Sequence, residues 1–196
     1  MNDIKLILAS ASPRRKELLQ QIEIVPHISP AHIDETQHHD EMPYDYCKRM
    51  AIEKATACYH KSDRQHPVLG ADTVVVCDGK SLGKPTDEDN AKLMLQQLSN
   101  RRHQVLTSVC VIYNEKVEVT VSESQVVFDA LPEEWIKKYI ASGEPMDKAG
   151  AYGIQGAAAM WIKQINGSYS AIMGLPLFET AQILYKLGII TPLRDG

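Results

Sequence analysis

Apolar and polar positions along this chain fall into blocks of changing period, and each change of period marks a predicted element. Ile4–Ala9 is a short apolar run and predicts a buried strand. After it the spacing turns helical, with Leu18, Leu19 and Ile22 on one side. Ser12 then stands at the N-cap, and Pro13 takes the first helical position, where its missing N–H costs nothing. Ile24–Ile33 reads as an irregular strand leading into a polar loop through Pro43. From Tyr44 to His60, the residues Tyr46, Met50, Ala51, Lys54, Ala55 and Cys58 recur at helical spacing. Val68–Cys77 is a nearly continuous β-branched run, the pattern of a strand covered on both faces. Asp78-Gly79 predicts a tight turn. Thr86 predicts the cap of a helix with acids at 87–89 and a buried stripe of Ala91, Met94, Leu95 and Leu98. His103–Tyr113, a turn at Asn114-Glu115, and Val117–Val121 continued by Gln125–Phe128 predict a hairpin. Pro132-Glu133-Glu134 opens a helix that ends near Gly143. Ala157–Ile165 reads as a further strand, Gly167–Ser170 as a turn, and Pro176–Leu187 as a last helix closed by Gly188.

Charge breaks this pattern in a few places. Arg14 and Arg15 occupy the first turn of a helix, where the dipole disfavours cations unless an anion sits among them. With Ser10, Ser12 and the helix's backbone N–H groups, they spell a phosphate site; a solvated basic turn has the same spelling. Asp72 interrupts the most apolar strand of the chain. A lone carboxylate there costs several kcal/mol, so it is paired, metal-bound or at an exposed strand end. Lys54 falls on or beside the inner stripe of its helix, where a lysine either snorkels or has an anionic partner. Lys84, between Gly83 and Pro85, is placed by turn chemistry so that its ammonium can reach back toward Asp72. Asp34-Glu35, just after a strand, are a solvated turn or a hold for a hard cation. His38-His39 make a poor metal pair, because adjacent side chains diverge and no third ligand is spaced to join them. The glycines at 150, 153 and 156 let backbone approach a ligand, yet match neither a Walker loop nor a G-x-G-x-x-G fingerprint. Gln155, among them, carries both a donor and an acceptor, enough to read a base edge.

Composition narrows the field only slightly. The 196 residues suit one domain of two lobes with a sizeable core, and a net charge of −4 offers no basic field for a nucleic acid polymer. Cys47, Cys58, Cys77 and Cys110 are scattered, with no C-x-x-C pair, as expected of reduced thiols in a cytosol. No apolar run approaches a membrane span and no signal-peptide anatomy opens the chain, so the expected address is the cytoplasm, with no membrane partner.

Taken together, these stretches resemble the Maf family of nucleoside triphosphate pyrophosphatases. The matching pieces are Ser10-Ala11-Ser12-Pro13-Arg14-Arg15, Gly70-Ala71-Asp72-Thr73-Val74-Val75, Leu82-Gly83-Lys84-Pro85, and Leu98-Ser99 with His103, Val105 and Thr107. Gly143-Glu144-Pro145, the run from Asp147 to Gly156, Asn166-Gly167-Ser168-Tyr169 and Gly174-Leu175-Pro176-Leu177 follow in the same order as in the family. Ala11, where many members carry glycine, is one mild departure. The resemblance implies an α/β fold of the Maf and inosine triphosphatase-like kind: a long, bent mixed sheet flanked by helices, two lobes and a nucleotide cleft between them. It also implies a homodimer that hydrolyses a nucleoside triphosphate to the monophosphate and pyrophosphate with a divalent cation, Mg²⁺ or else Mn²⁺ or Co²⁺. On this resemblance Ser10, Ser12, Arg14, Arg15, Lys54 and Lys84 clamp the triphosphate. Glu35 and Asp72 hold the cation, and Asp72 is the general base. Arg14, Thr73 and Gln155 set specificity, and Thr73 and Gln155 look like the subgroup that prefers dTTP and UTP over the one that prefers 7-methyl-GTP.

Two rivals keep the same residues. One is a nucleotide-binding regulator of septum formation and cell division with incidental turnover; an intact Asp72, Glu35 and Lys84 argue against it. The other is a pyrophosphatase for modified nucleotides.

Overall fold

A computed structural model describes residues 5–190, so Ile4 of the first predicted strand lies outside the described residues. The order of elements is β1 (Ile7–Leu8), α1 (Pro13–Gln21), β2 (His27–Ile28), α2 (Pro43–Lys61), β3 (Val68–Cys77), β4 (Lys80–Leu82) and α3 (Glu88–Leu98). Then come β5 (Arg102–Tyr113), β6 (Lys116–Phe128), α4 (Glu133–Ala141), three 3₁₀ turns, β7 (Ile162–Asn166), α5 (Tyr169–Met173) and α6 (Leu177–Lys186). Among the described residues the strands form one mixed sheet in the order β2-β1-β3-β5-β6-β7, with β4 on β3. β1 runs parallel to β2 and β3, whereas β3–β4 and β6–β7 are antiparallel. This is the expected α/β class.

The chain divides into two compact units. Among the described residues, the first comprises 5–72, 107–122 and 174–190; the second, 73–106 and 123–173. In the first, Ile7, Ala9, Val68, Cys110 and Ile112 pack with Ala51, Ala55, Cys58 and Tyr59 of α2. The second is built on Leu95 and Leu98 of α3, Ile136 and Tyr139 of α4, and Val126, Phe128 and Tyr152. β3 is buried along almost its whole length, as its unbroken apolar run requires. The hairpin turns on Asn114 and Glu115, both at positive φ, the geometry that matches strand twist. Gly143 follows α4 in the left-handed conformation, as expected.

Several expectations are corrected. The strands expected over 4–9 and 24–33 shrink to two residues each, because β2 pairs with β1 only at His27 and Ile28. Ser12 does occupy the N-cap of α1, with Pro13 next, but its hydroxyl makes no capping bond. The cap of α3 is Asp87 rather than Thr86: Asp87 Oδ1 accepts from Asn90 N at 2.7 Å, while Thr86 Oγ1 donates to Asp87 Oδ2. Ala157–Trp161, read as strand, is a 3₁₀ turn, and β7 begins only at Ile162. The turn expected at 167–170 runs instead into α5.

Candidate active site

Gly70 sets the geometry of the site. It and Asp72 lie on the same face of β3, because strand side chains alternate. A Cβ at Gly70 would fall 2.6 Å from Ala55 N and closer still to Ala51 O, so the bare backbone of β3 accepts the backbone of α2 directly against it. That close approach brings Lys54, in the same turn of α2, to Asp72. Lys54 Nζ donates to Asp72 Oδ1 at 2.7 Å and to Glu35 Oε2 at 2.8 Å. Lys54 and Asp72 are both buried, whereas the Glu35 side chain is 49% exposed. The lysine on the inner stripe and the acid in the apolar strand therefore answer each other. The lysine that pairs with Asp72 is Lys54.

Burial is the main influence on Asp72 and raises its pKa above the ordinary carboxylate range; the positive charges of Lys54 and Arg15 oppose the rise. Cys47, on the same helix as Lys54, donates its thiol to Asp72 O at 3.5 Å, and burial pushes that thiol up to about 12.

Arg15 completes the cluster from α1. Its Nε donates to Gly174 O at 2.8 Å and its Nη1 to Ser10 Oγ at 3.0 Å, so the guanidinium is anchored at two points. Burial lowers its pKa and Asp72 raises it, and a guanidinium stays charged under either influence. Ser10, itself buried, also accepts from Ser12 N at 3.2 Å. The first turn of α1 contains no acid. Lys54 bonds the buried Asp72 carboxylate and the Arg15 guanidinium, anchored by Ser10, acts on it from α1, so two cations stand at one buried acid, an arrangement suited to an anion of several charges.

Glu35 and Asp72 offer hard oxygen donors, and both already converge on one cationic centre at Lys54 Nζ. Two carboxylates, with water and substrate phosphate filling the remaining positions, fit Mg²⁺ or a similar cation. Among the described residues no group of three or more His, Cys, Asp or Glu is placed to hold a metal unaided. His39 is paired with Asp40 on the surface at 2.7 Å.

The remaining candidates, Thr73, Lys84 and Gln155, belong to the second unit. Thr73 follows Asp72 directly on β3 and is partly buried. Lys84 is exposed after β4, where Gly83 O accepts from Gly150 N at 3.0 Å. Gln155 is exposed on a loop braced from beneath. Tyr152 Oη meets His103 Nε2 at 2.7 Å, Gly153 N donates to Tyr139 Oη at 3.2 Å, and Tyr139 Oη donates to Glu144 Oε1 at 2.9 Å. A Cβ at Gly156 would meet the Glu144 carboxylate, so a larger residue there displaces that side chain from its place beside Tyr139. These braces were hidden in the sequence; the only hint was the recurrence of His103, Glu144 and Tyr152 inside the quoted motifs. Arg14 and Ser12, at the start of α1, are half-buried.

A family model described as Maf-like protein matches residues 5–187. The chain is 49% identical to a dTTP/UTP pyrophosphatase of Hahella chejuensis over 187 residues, covering 94% of this chain and 93% of the relative. It is 47% identical to a nucleoside triphosphate pyrophosphatase of Haemophilus ducreyi, covering 94% and 96%. A dTTP/UTP pyrophosphatase of Methylobacillus flagellatus is 46% identical, covering 98% and 97%. Among solved structures, the Staphylococcus aureus Ham1 protein is similar in fold, with a TM-score of 0.50 at 12% identity, covering 94% of this chain and 99% of that one. With one family model spanning nearly all of it, and relatives at this identity along almost their whole length, this chain belongs to the Maf-like protein family.

Proposed function

We propose that this protein hydrolyses nucleoside triphosphates, dTTP and UTP before others, to the monophosphate and pyrophosphate. The observation that carries the reading is the buried Asp72 held by Lys54 beside the anchored Arg15 and Ser10. A pure nucleotide binder has no use for a carboxylate of raised pKa among its cations. The names of the relatives from Hahella and Methylobacillus support the choice of nucleotide.

In this reading Ser10, Ser12, Arg14, Arg15, Lys54 and Lys84 bind the triphosphate and offset its charge. Asp72 takes a proton from the attacking water. Lys54 takes Oδ1, so Oδ2 is the oxygen left for that task. The new bond joins the water oxygen to the α-phosphorus; the α–β anhydride bond breaks, and its bridging oxygen leaves with pyrophosphate. Glu35 and Asp72 hold a divalent cation, which when bound supplies charge neutralisation at the phosphate oxygens. Arg14, Thr73 and Gln155 select the base, since a mismatched base leaves buried polar groups unpaired. We further read residues 1–196 as one domain acting as a homodimer in the cytoplasm.

The test is pyrophosphate release from dTTP, UTP, CTP, ATP, GTP and 7-methyl-GTP with Mg²⁺, for the wild type beside Asp72→Asn. Release from dTTP and UTP, lost in the variant, is expected. Tight binding without release, with Mn²⁺ and Co²⁺ also supplied, would instead mark a nucleotide-binding regulator.

A further inference from the structure

Glu35 sits on the stretch between β2 and α2, which has no helix or strand of its own. Its bond to Lys54 cannot by itself fix a half-exposed carboxylate, because one such ion pair contributes little against the entropy of the loop. Helix α2 supplies the rest with two side chains one turn apart. Tyr46 Oη donates to Glu35 O at 2.8 Å. Arg49 grips both carboxylate oxygens of Glu41, Nε at 2.7 Å and Nη2 at 2.8 Å, and Nη2 also donates to Thr36 O at 3.0 Å. Its remaining arm, Nη1, reaches Glu53 Oε1 at 3.2 Å. Glu41 in turn accepts from His38 N at 3.0 Å, and Glu41 O accepts from Gln37 Nε2 at 2.7 Å. The loop is therefore held at Glu35 itself, at the next residue, and at its far end. The Arg49 and Glu41 side chains are only 20% and 11% exposed, so this pair is shielded from water in a way that ordinary surface pairs are not. The two-pronged grip on Glu41 is one that a lysine cannot reproduce.

We propose that Arg49, acting with Tyr46 and Glu41, is a positioning residue that holds the Glu35 carboxylate in place for the divalent cation. The inference rests on the assignment of Glu35 to that cation. Arg49 acts through the loop, in the manner of an outer partner that orients a metal ligand.

The test compares full-length wild type with Arg49→Lys, Tyr46→Phe and Glu35→Gln. Three quantities are read: the Mg²⁺ concentration giving half-maximal dTTP hydrolysis, kcat at saturating Mg²⁺, and hydrogen exchange of the amides between residues 34 and 42. Tyr46→Phe removes one oxygen, and with it the bond to Glu35 O, while keeping the ring. The proposal expects Arg49→Lys and Tyr46→Phe to raise the Mg²⁺ requirement about tenfold, with kcat at saturation close to wild type. It also expects faster exchange across 34–42. An unchanged Mg²⁺ requirement in both variants overturns it, whether or not the loop loosens. Should Glu35→Gln leave the Mg²⁺ requirement unchanged while the Tyr46→Phe loop exchanges faster, the assignment of Glu35 is what fails, and the proposal falls with it.

Discussion

Replacing Gly70 with alanine puts the central geometry under load at a single atom. The added Cβ meets Ala55 N at 2.6 Å, Ala55 Cα at 3.0 Å and Ala51 O closer still, where ordinary contact begins near 3.4 Å. These are helix backbone atoms, so no side chain can swing aside, and α2 must retreat by about 1 Å. Lys54 rides on the same turn. Its 2.7 Å bond to Asp72 would then stretch past the ~3.2 Å limit of a good hydrogen bond, leaving a buried carboxylate without its lysine donor. Overpacking of this kind costs about 1–3 kcal/mol. For a chain of this size the melting temperature falls by about 2–4 °C per kcal/mol. The larger effect should be on turnover, because a displacement of about 1 Å at reacting groups can cost on the order of 10²-fold. Urea unfolding and kcat/KM for dTTP, measured on the same preparation, separate the two effects. A Gly70→Ala protein with wild-type stability and wild-type kcat/KM would refute the claim that close approach at Gly70 places Lys54.

Two further outcomes follow from buried groups. Burial pushes His103 down from 6.5 to about 4, so between these values the unfolded chain binds a proton that the folded one refuses. Stability from His103 is fully present above pH 6.5 and is lost as pH falls toward 4, by about 3 kcal/mol at the limit. Denaturant titrations at several pH values should show that loss flattened in His103→Gln; an identical slope in the variant would contradict the assignment. The four cysteines are free and buried, and burial holds Cys47 and Cys110 up near 12. Iodoacetamide in mildly alkaline buffer should therefore label none of them until the protein unfolds, and rapid native labelling of Cys47 would be the opposite result.

How much of this was legible in the sequence differs by residue, for physical reasons. Asp72 and Lys54 stood out because a charge in an apolar strand or on an inner helical stripe needs a partner to offset its desolvation. Which lysine answered Asp72 was not legible. Turn chemistry drew attention to Lys84, whereas the pairing depends on how closely α2 and β3 approach, and a glycine's spelling does not show what packs on it. The long elements α2, β3, β5 and β6 emerged because each carries enough periodic positions to be read. Short β1 and β2 did not keep their predicted lengths, since their paired register covers only Ile7–Leu8 and His27–Ile28, with single backbone bonds at Leu6, Ala9 and Ser29 beyond it. The cap of α3 slipped by one residue because Thr86 and Asp87 are both good caps, and the choice rests on Asn90 N. The grip of Arg49 on the Glu35 loop left only an ordinary i, i+4 pair with Glu53 as a trace in the sequence.

The central claim is that the cluster around Asp72 directs water to the α-phosphorus. Turnover of dTTP in ¹⁸O-labelled water, followed by mass analysis of both products, tests it most directly. The account predicts one labelled oxygen in thymidine monophosphate and none in pyrophosphate, with label transfer abolished in Asp72→Asn. Label in the pyrophosphate, or in inorganic phosphate released from the far end of the chain, would contradict it.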